Sequence, residues 1–310
     1  MPVARPADAP RRTRLPIATL LVALLVALAT AGCTQGSPLQ ARATASETLQ
    51  VAVPGDGWAV QVRVEMFNGP IQVRAGAEGE VSATVTTTGT GATQADAEAD
   101  RQKIQVTLEA NPDGTVLLRA VYQPNPSSPE NRAAGAVVAV PAAAALDLRT
   151  SNGAVTSADV TGAIDVRTSN GPVTLADAPA GASVRTSNGT VEVAGGGLLD
   201  VESSNGRIRF FGNAATVRAV TSNADVTFEG TFSDGAQGLE TSNGPISVRL
   251  PAGSSFGLDA QTSNGSVTLD GFEIRTSGAS DDDTLQGRVG TGGPSIVLRT
   301  SNAAIVVAAE

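Results

Sequence analysis

From residue 146 to the C-terminus, apolar and polar positions alternate with a period of two on both sides of a recurring tetrapeptide. The unit is Thr-Ser-Asn-Gly, at 150–153, 168–171, 186–189, 241–244 and 262–265, with one departure each at 203–206, 221–224 and 300–303. Its asparagines are Asn152, Asn170, Asn188, Asn205, Asn223, Asn243, Asn264 and Asn302. The first seven are 18, 18, 17, 18, 20 and 21 residues apart, and the last step of 38 reads as two units with a degenerate copy between them. Three places after each Asn stand Val155, Val173, Val191, Ile208, Val226, Ile246, Val267 and Ile305. Four places before it stand Leu148, Val166, Val184, Val201, Ala219, Leu239, Ala260 and Leu298, and the residue that follows is charged in most copies, as in Arg149, Arg167, Arg185, Glu202, Glu240 and Arg299.

That pattern belongs to half-buried strands, and nothing in this region has helical periodicity. A period near 18 is too short for a propeller blade or a helical repeat; it suits one rung of a β-solenoid made of two or three short strands. The expected fold is therefore all-β: a parallel stack with rungs ~4.8 Å apart, Val and Ile stacked inside, and a length of roughly 40 Å from Asn152 to Asn302. The Asn-Gly pair marks the corner, since both residues tolerate positive φ. A column of Asn side chains can also hydrogen-bond along the stack. A ligand-binding or ice-binding face is the alternative use of the same Ser, Thr and Asn array.

Residues 49–145 are less regular. Phe67-Asn68-Gly69 reads as a diverged first copy, 93–103 as a short helix or loop, and 104–109 and 115–122 as strands. A turn is expected at 111–114, a Pro-rich loop at 123–131 and a further strand at 137–140.

Residues 1–32 read as a secretory leader rather than fold. Arg11, Arg12 and Arg14 precede an apolar run from Leu15 to Ala31, and Thr30-Ala31-Gly32-Cys33 is similar to the lipobox of bacterial lipoproteins, with Thr where Leu is usual. Cys33 is thus the expected lipidation site, carrying acyl chains such as palmitate. Two or three chains hold stably where one is marginal. An ordinary signal peptide or an uncleaved membrane helix is the alternative, and the Arg pair leaves export by the general secretory or twin-arginine route open. The chain then divides into a leader (1–32), a lipidated Cys with a flexible tether (33–48) and one solenoid domain (49–310).

Composition removes several function classes. There is no His and one Cys, so the usual general base, the commonest metal ligand and any disulfide pairing within the chain are missing. One Trp, one Tyr and seven Phe accompany 34 Gly, so the core must be built of small and β-branched side chains. The net charge of −9 is made more negative by loss of the Arg-rich leader and repels nucleic acid.

These features together resemble the adhesin-like, or toast-rack, family of bacterial β-strand-repeat proteins. The resemblance rests on Phe67-Asn68-Gly69, the Ala/Asp/Glu-rich insertion, the repeated Leu/Val-x-Arg-Thr-Ser-Asn-Gly and the ending Gly292-Gly293-Pro294 before Leu298-Arg299-Thr300-Ser301-Asn302. It implies a single-domain β-solenoid exposed in the cell envelope and linked to envelope-stress sensing, with no catalytic residues to carry over.

Asp281-Asp282-Asp283 interrupts the repeat, but no Asp-x-Asp-x-Asp-Gly loop is present, so a solvated loop is expected in place of a metal site. Phe210 and Phe228 share a core column with Leu175, Val193, Val248 and Leu269, whereas Phe211 and Phe232 fall outside it and are candidate exposed binding residues. The expected function is a non-catalytic, cofactor-free, lipid-anchored binding or sensing module that contacts an envelope protein, peptide or glycan. A self-assembling structural solenoid is the alternative, and a polysaccharide-active β-helix enzyme a distant third. The last strand, 303–310, has no obvious cap; loop 272–287 folding over it, with its acidic residues outward, would keep the protein a monomer.

Overall fold

The computed structural model describes residues 24–26, 41–53, 60–123 and 131–310. Cys33 lies outside them, as does most of the Pro-rich loop. The described strands form one continuous hydrogen-bonded sheet of 24 strands, folded into two layers around a single apolar core. Each rung supplies one strand before its Asn corner and one after it. The strands before the corner, such as Ile164–Arg167 and Ala182–Arg185, pair in parallel and in register to make a first sheet. Those after it, such as Val155–Ala158 and Val173–Ala178, make a second. Val191–Glu202 and Ile208–Val220 run unbroken round the far edge and join the two. A rung is thus two strands, and the alternation read in the sequence sets which side chains meet inside. Val155, Val191, Ile208, Val226, Ile246 and Ile305 stack on one inner wall, and Leu148, Val166, Val184, Val201 and Leu298 on the other, all buried.

Both ends depart from sequence order. At the C-terminal end the last two strands, Ser295–Arg299 and Ile305–Ala309, are inserted into the stack rather than added to it. Ser295–Arg299 lies between Ala236–Glu240 and Phe256–Gln261. Ile305–Ala309 lies between Ile246–Leu250 and Val267–Asp270. The expectation that 303–310 is the last rung of the stack is therefore overturned: Ile305 and Val307 are fully buried, while Val267 and Leu269, one rung further out, are half-buried. The expected degenerate copy between Asn264 and Asn302 is an antiparallel hairpin, Ile274–Ser280 with Thr284–Val289, whose second strand runs antiparallel to Phe256–Gln261. Its tip lies over Thr262 and Val267 rather than over 303–310, where the loop was expected. The Asp283 carbonyl accepts the Thr262 N–H at 2.9 Å, and the Asp282 carbonyl accepts that of Val267 at 2.8 Å. Asp281, Asp282 and Asp283 stay exposed.

The N-terminal end mirrors this. Thr115–Tyr122 and Ala133–Val140 form a rung outside the earlier one made of Gln61–Glu65 and Asn68–Ala75. Antiparallel strands then finish each sheet: Ile104–Ala110 on the first, and Glu80–Gly91 followed by Ala41–Ala52 on the second. The tether expected over 33–48 is thus strand from Ala41 onward, because all twelve residues of Ala41–Ala52 pair with Glu80–Gly91. Leu24–Val26 pairs antiparallel with Ser46, Glu47 and Thr48.

The insertion at 93–103 contains helix Gln94–Arg101, started by a capping box in which Thr93 and Asp96 exchange hydrogen bonds. It sits directly on Gly89 and Gly91, where any Cβ would come within 2.3 and 2.5 Å of helix backbone. The helix presents Asp100 to a buried cluster. Arg132 binds its carboxylate through Nε at 2.6 Å and a second nitrogen at 3.0 Å, the Tyr122 hydroxyl donates at 2.7 Å and the Thr90 amide at 3.2 Å. Burial works to raise the Asp100 pKa, but the hydrogen bonds from Arg132, Tyr122 and Thr90 outweigh it and hold the group down to about 2.

Two outcomes follow for stability. Ile305→Ala should cost about 2–5 kcal/mol in denaturant melting, as a fully buried truncation does, and Val267→Ala about 1 kcal/mol or less. The reverse ranking would place the C-terminal strand at the end of the stack. Asp100 has a folded pKa below its unfolded value, so its contribution is present above about pH 4 and lost as pH falls toward 2. With about 1.4 kcal/mol per pKa unit, wild type should exceed Asp100→Asn by up to about 2.5 kcal/mol more at pH 6 than at pH 2. A gap independent of pH over that range would mean that the carboxylate charge is not what holds the helix.

Candidate functional site

The recurring corner is the most ordered polar array on the molecule, and every member of Thr-Ser-Asn-Gly has its own role. The Thr hydroxyl turns inward and donates to a carbonyl of a neighbouring rung: Thr150 to Gly69 at 3.0 Å, Thr241 to Ala224 at 3.1 Å, Thr262 to Ala303 at 2.9 Å and Thr300 to Gly244 at 3.0 Å. The Ser carbonyl accepts two amides from the next rung. Ser151 takes the N–H of Ser169 and Asn170, Ser169 that of Ser187 and Asn188, and Ser222 that of Ser242 and Asn243. The Asn side chains form the ladder that the spacing suggests. Asn170 donates to Asn152 at 2.5 Å, Asn188 to Asn170 and Asn205 to Asn188 at 2.7 Å, Asn223 to Asn205 at 2.6 Å and Asn243 to Asn223 at 2.7 Å. Asn152 donates in turn to Asn68, which confirms Phe67-Asn68-Gly69 as the first copy.

The order at the far end differs from the chain order. Asn302 donates to Asn243 at 2.7 Å, and Asn264 then donates to Asn302 at 2.9 Å. Asn264, not Asn302, is the terminal member.

The expected backbone role of the corner residues is corrected. Of the ladder asparagines only Asn68 has a positive φ, at 53°, and none of the corner glycines does. The glycines are required for close approach instead. A Cβ on Gly153 or Gly171 would lie 1.8 Å from the carbonyl oxygen of the previous rung's Gly, and one on Gly206 1.9 Å away. Ala224 and Ala303 occupy the same place, and both are half-buried where the corner glycines preceding them in the stack, Gly206 and Gly244, are buried.

The remaining candidates separate. Phe210 and Phe228 are fully buried, as their column requires. Phe211 is exposed on the outer face of the second sheet. Phe232 is not its partner: it is half-buried and stacks on Phe228 with ring centroids 3.8 Å apart. Its sequence position outside the core column hid a contact made within strand Val226–Phe232, where Gly230 has a φ of 125° and the pairing register shifts.

The charged column before the corner lies on the outer face of the first sheet and neutralises itself. Arg63 and Arg149 both hold Asp147 at 2.8 Å, Arg218 bridges Asp200 at 2.8 Å and Glu202 at 2.6 Å, and Arg299 holds Asp259 at 2.5 Å. Burial pushes the Asp147 carboxyl up, but the hydrogen bonds from Arg149 and the charges of Arg149 and Arg63 hold it below its ordinary range. Among the described residues no group of three His, Cys, Asp or Glu is placed to hold a metal ion.

Each interior ladder Asn both donates and accepts, so its removal strands two neighbouring amides. These asparagines are exposed, so Asn188→Ala and Asn302→Ala should each cost about 0.5–1.5 kcal/mol per lost bond in denaturant melting, and Asn264→Ala, with one ladder bond, clearly less. A smaller loss at Asn302 than at Asn264 would restore the chain order of the rungs.

The Toastrack DUF4097 family model matches residues 61–307, which is the stack from its first to its last inner strand. No curated protein matches the chain. Two solved structures are similar over 86% of the chain: a candidate cell adhesion protein from Clostridium sporogenes, covered over its whole length at 12% identity and a TM-score of 0.30, and a candidate adhesin from Bacteroides fragilis, covered over 97% at 11% identity and a TM-score of 0.33. With the family pattern running through every rung from Gln61 to Val307, the chain belongs to the Toastrack DUF4097 family.

Proposed function

We propose that the protein is a non-catalytic, lipid-anchored module of the bacterial envelope, held to a membrane through Cys33, that binds or senses a partner with the outside of its stack. The observation that carries this reading is the closed stack itself. The Thr, Ser and Asn groups of the corner are used in holding rung to rung, and antiparallel strands finish both sheets at the N-terminal end and the first sheet at the C-terminal end. What remains for contact is a pair of broad outer faces on a rigid body, the layout of a binding module. Membership of the Toastrack family supports the adhesin-type reading.

Thr30-Ala31-Gly32-Cys33 supports the anchor. Ala41 begins the first long strand eight residues after Cys33, so the domain would stand close to the bilayer on a short tether. Processing before Cys33 would also remove Leu24–Val26 and open the outer edge of Ala41–Ala52.

Cys33→Ser should move the protein from the membrane fraction to the soluble fraction and abolish metabolic labelling with fatty acid. A Cys33→Ser chain that is still cleaved, yet stays on membranes, would remove the lipid anchor from this reading.

A further inference from the structure

The two outer faces differ in charge, and the difference points to a partner. On the first sheet the outward positions are occupied by the ion pairs described above. On the second sheet, at the N-terminal end, the register runs Thr48, Thr84, Val137, Gln72, Thr156, Thr174 across six neighbouring strands. The row is uncharged and spans roughly 24 Å at the ~4.8 Å strand spacing. The row beside it, from Gln50 through Ser82 and Ala139 to Ala158, contains a single charge, Arg74. In a chain with 51 Lys, Arg, Asp and Glu residues, such a face stands apart. Three rungs beyond Ala158, Phe211 projects from the same side with 37% of its surface exposed.

Its chemistry is hydroxyl-bearing. Thr44 and Thr88, Ser46 and Thr86, and Thr48 and Thr84 pair across the strands through their hydroxyls at 3.3, 2.8 and 3.1 Å. Each pair uses one hydroxyl hydrogen and leaves the other, with lone pairs, free to face outward. The large apolar groups on this side are Val137, 43% exposed, and Phe211. That is too little for a protein partner anchored by buried aromatic and Arg side chains. An anionic polymer would meet a molecule of net charge −9, with only Arg42 and Arg74 as arginines at the outward positions of these strands.

We propose that this face binds an uncharged, β-linked polysaccharide in its extended ribbon form. Such a chain carries hydroxyls that exchange hydrogen bonds with the Thr and Ser rows, and C–H faces that lie on Val137, the alanines and the Phe211 ring. An extended ribbon can follow the uncharged row across its six strands, whereas a coiled α-linked chain meets it only at intervals. The proposal rests on the envelope-module reading and names its partner.

The test is co-sedimentation of the purified protein with microcrystalline cellulose and with chitin, using starch granules as the coiled control and soluble alginate as an anionic competitor. Retention on at least one ribbon polymer is expected, unaffected by 0.5 M salt (about the level that screens surface charges) and by alginate. Thr84→Glu with Gln72→Glu should weaken it about ten-fold or more without lowering the melting temperature, and Gln61→Glu on the first sheet should leave it unchanged. No retention on either polymer, retention equal in the double variant, or capture by alginate in place of cellulose and chitin would overturn the proposal. So would a concentration-dependent dimer that the double variant disperses, since the occupant would then be a second copy. Membrane fractionation of the same chain reads the anchor separately, so a membrane-bound protein that ignores both polymers removes the glycan and leaves the envelope module standing.

Discussion

The close approach of one rung's corner to the next is the constraint on which the rest of the molecule depends. At Gly153, Gly171, Gly189 and Gly206 the neighbouring carbonyl occupies the space a side chain would need. That contact brings the Ser carbonyl within reach of two amides, sets the Asn side chains at hydrogen-bonding distance and drops the Thr hydroxyl onto a carbonyl. Once the corners are stacked, both sheets must continue in register, and the Val, Ile and Leu columns must fall on one another inside. A chain poor in aromatic residues can build a core this way because uniform small side chains pack by repetition rather than by irregular fit.

A solenoid built on such a repeat has no natural end, and this protein ends it twice by the same device. At each end a later pair of strands is placed out of chain order, and antiparallel strands finish both sheets at the N-terminal end and the first sheet at the C-terminal end. Insertion of Ile305–Ala309 between two earlier strands couples the last residues of the chain to segments sixty residues upstream. The Asp100 cluster does comparable work at the other end, where it ties the helix to strands that would otherwise present an open layer.

The two outer faces have been treated differently within this common frame. Regular stacking places like positions above one another, so a charged column would repel itself. On the first sheet Arg and Asp or Glu alternate closely enough to pair along and across rungs. On the second, near the N-terminal end, the same difficulty is met by leaving charge out. One face is thereby closed on itself electrostatically, and the other is left with hydroxyl groups that still have hydrogen bonds to make.

The chain's own pattern determined the fold class, the period, the two inner columns, the Asn ladder and the core placement of Phe210 and Phe228, because each follows from local alternation around a short motif. It also located the strand Thr115–Tyr122 and the insertion at 93–103, left open between helix and loop, that holds helix Gln94–Arg101. The order of the final rungs was decided only in three dimensions. Every corner offers its neighbour the same Ser carbonyl and Asn amide, so local chemistry does not distinguish Asn264 from Asn302 as the partner of Asn243; the hairpin between them does, by occupying the end of the first sheet. The corner glycines were legible as a feature but not in their cause, since close approach between rungs is a distance between residues about 18 apart rather than a property of the turn itself. Likewise Phe232 stacks on Phe228 because their strand is irregular at Gly230, and the contrast between a self-paired face and an uncharged one emerges only when strands from residues 48, 84, 137 and 72 are brought side by side.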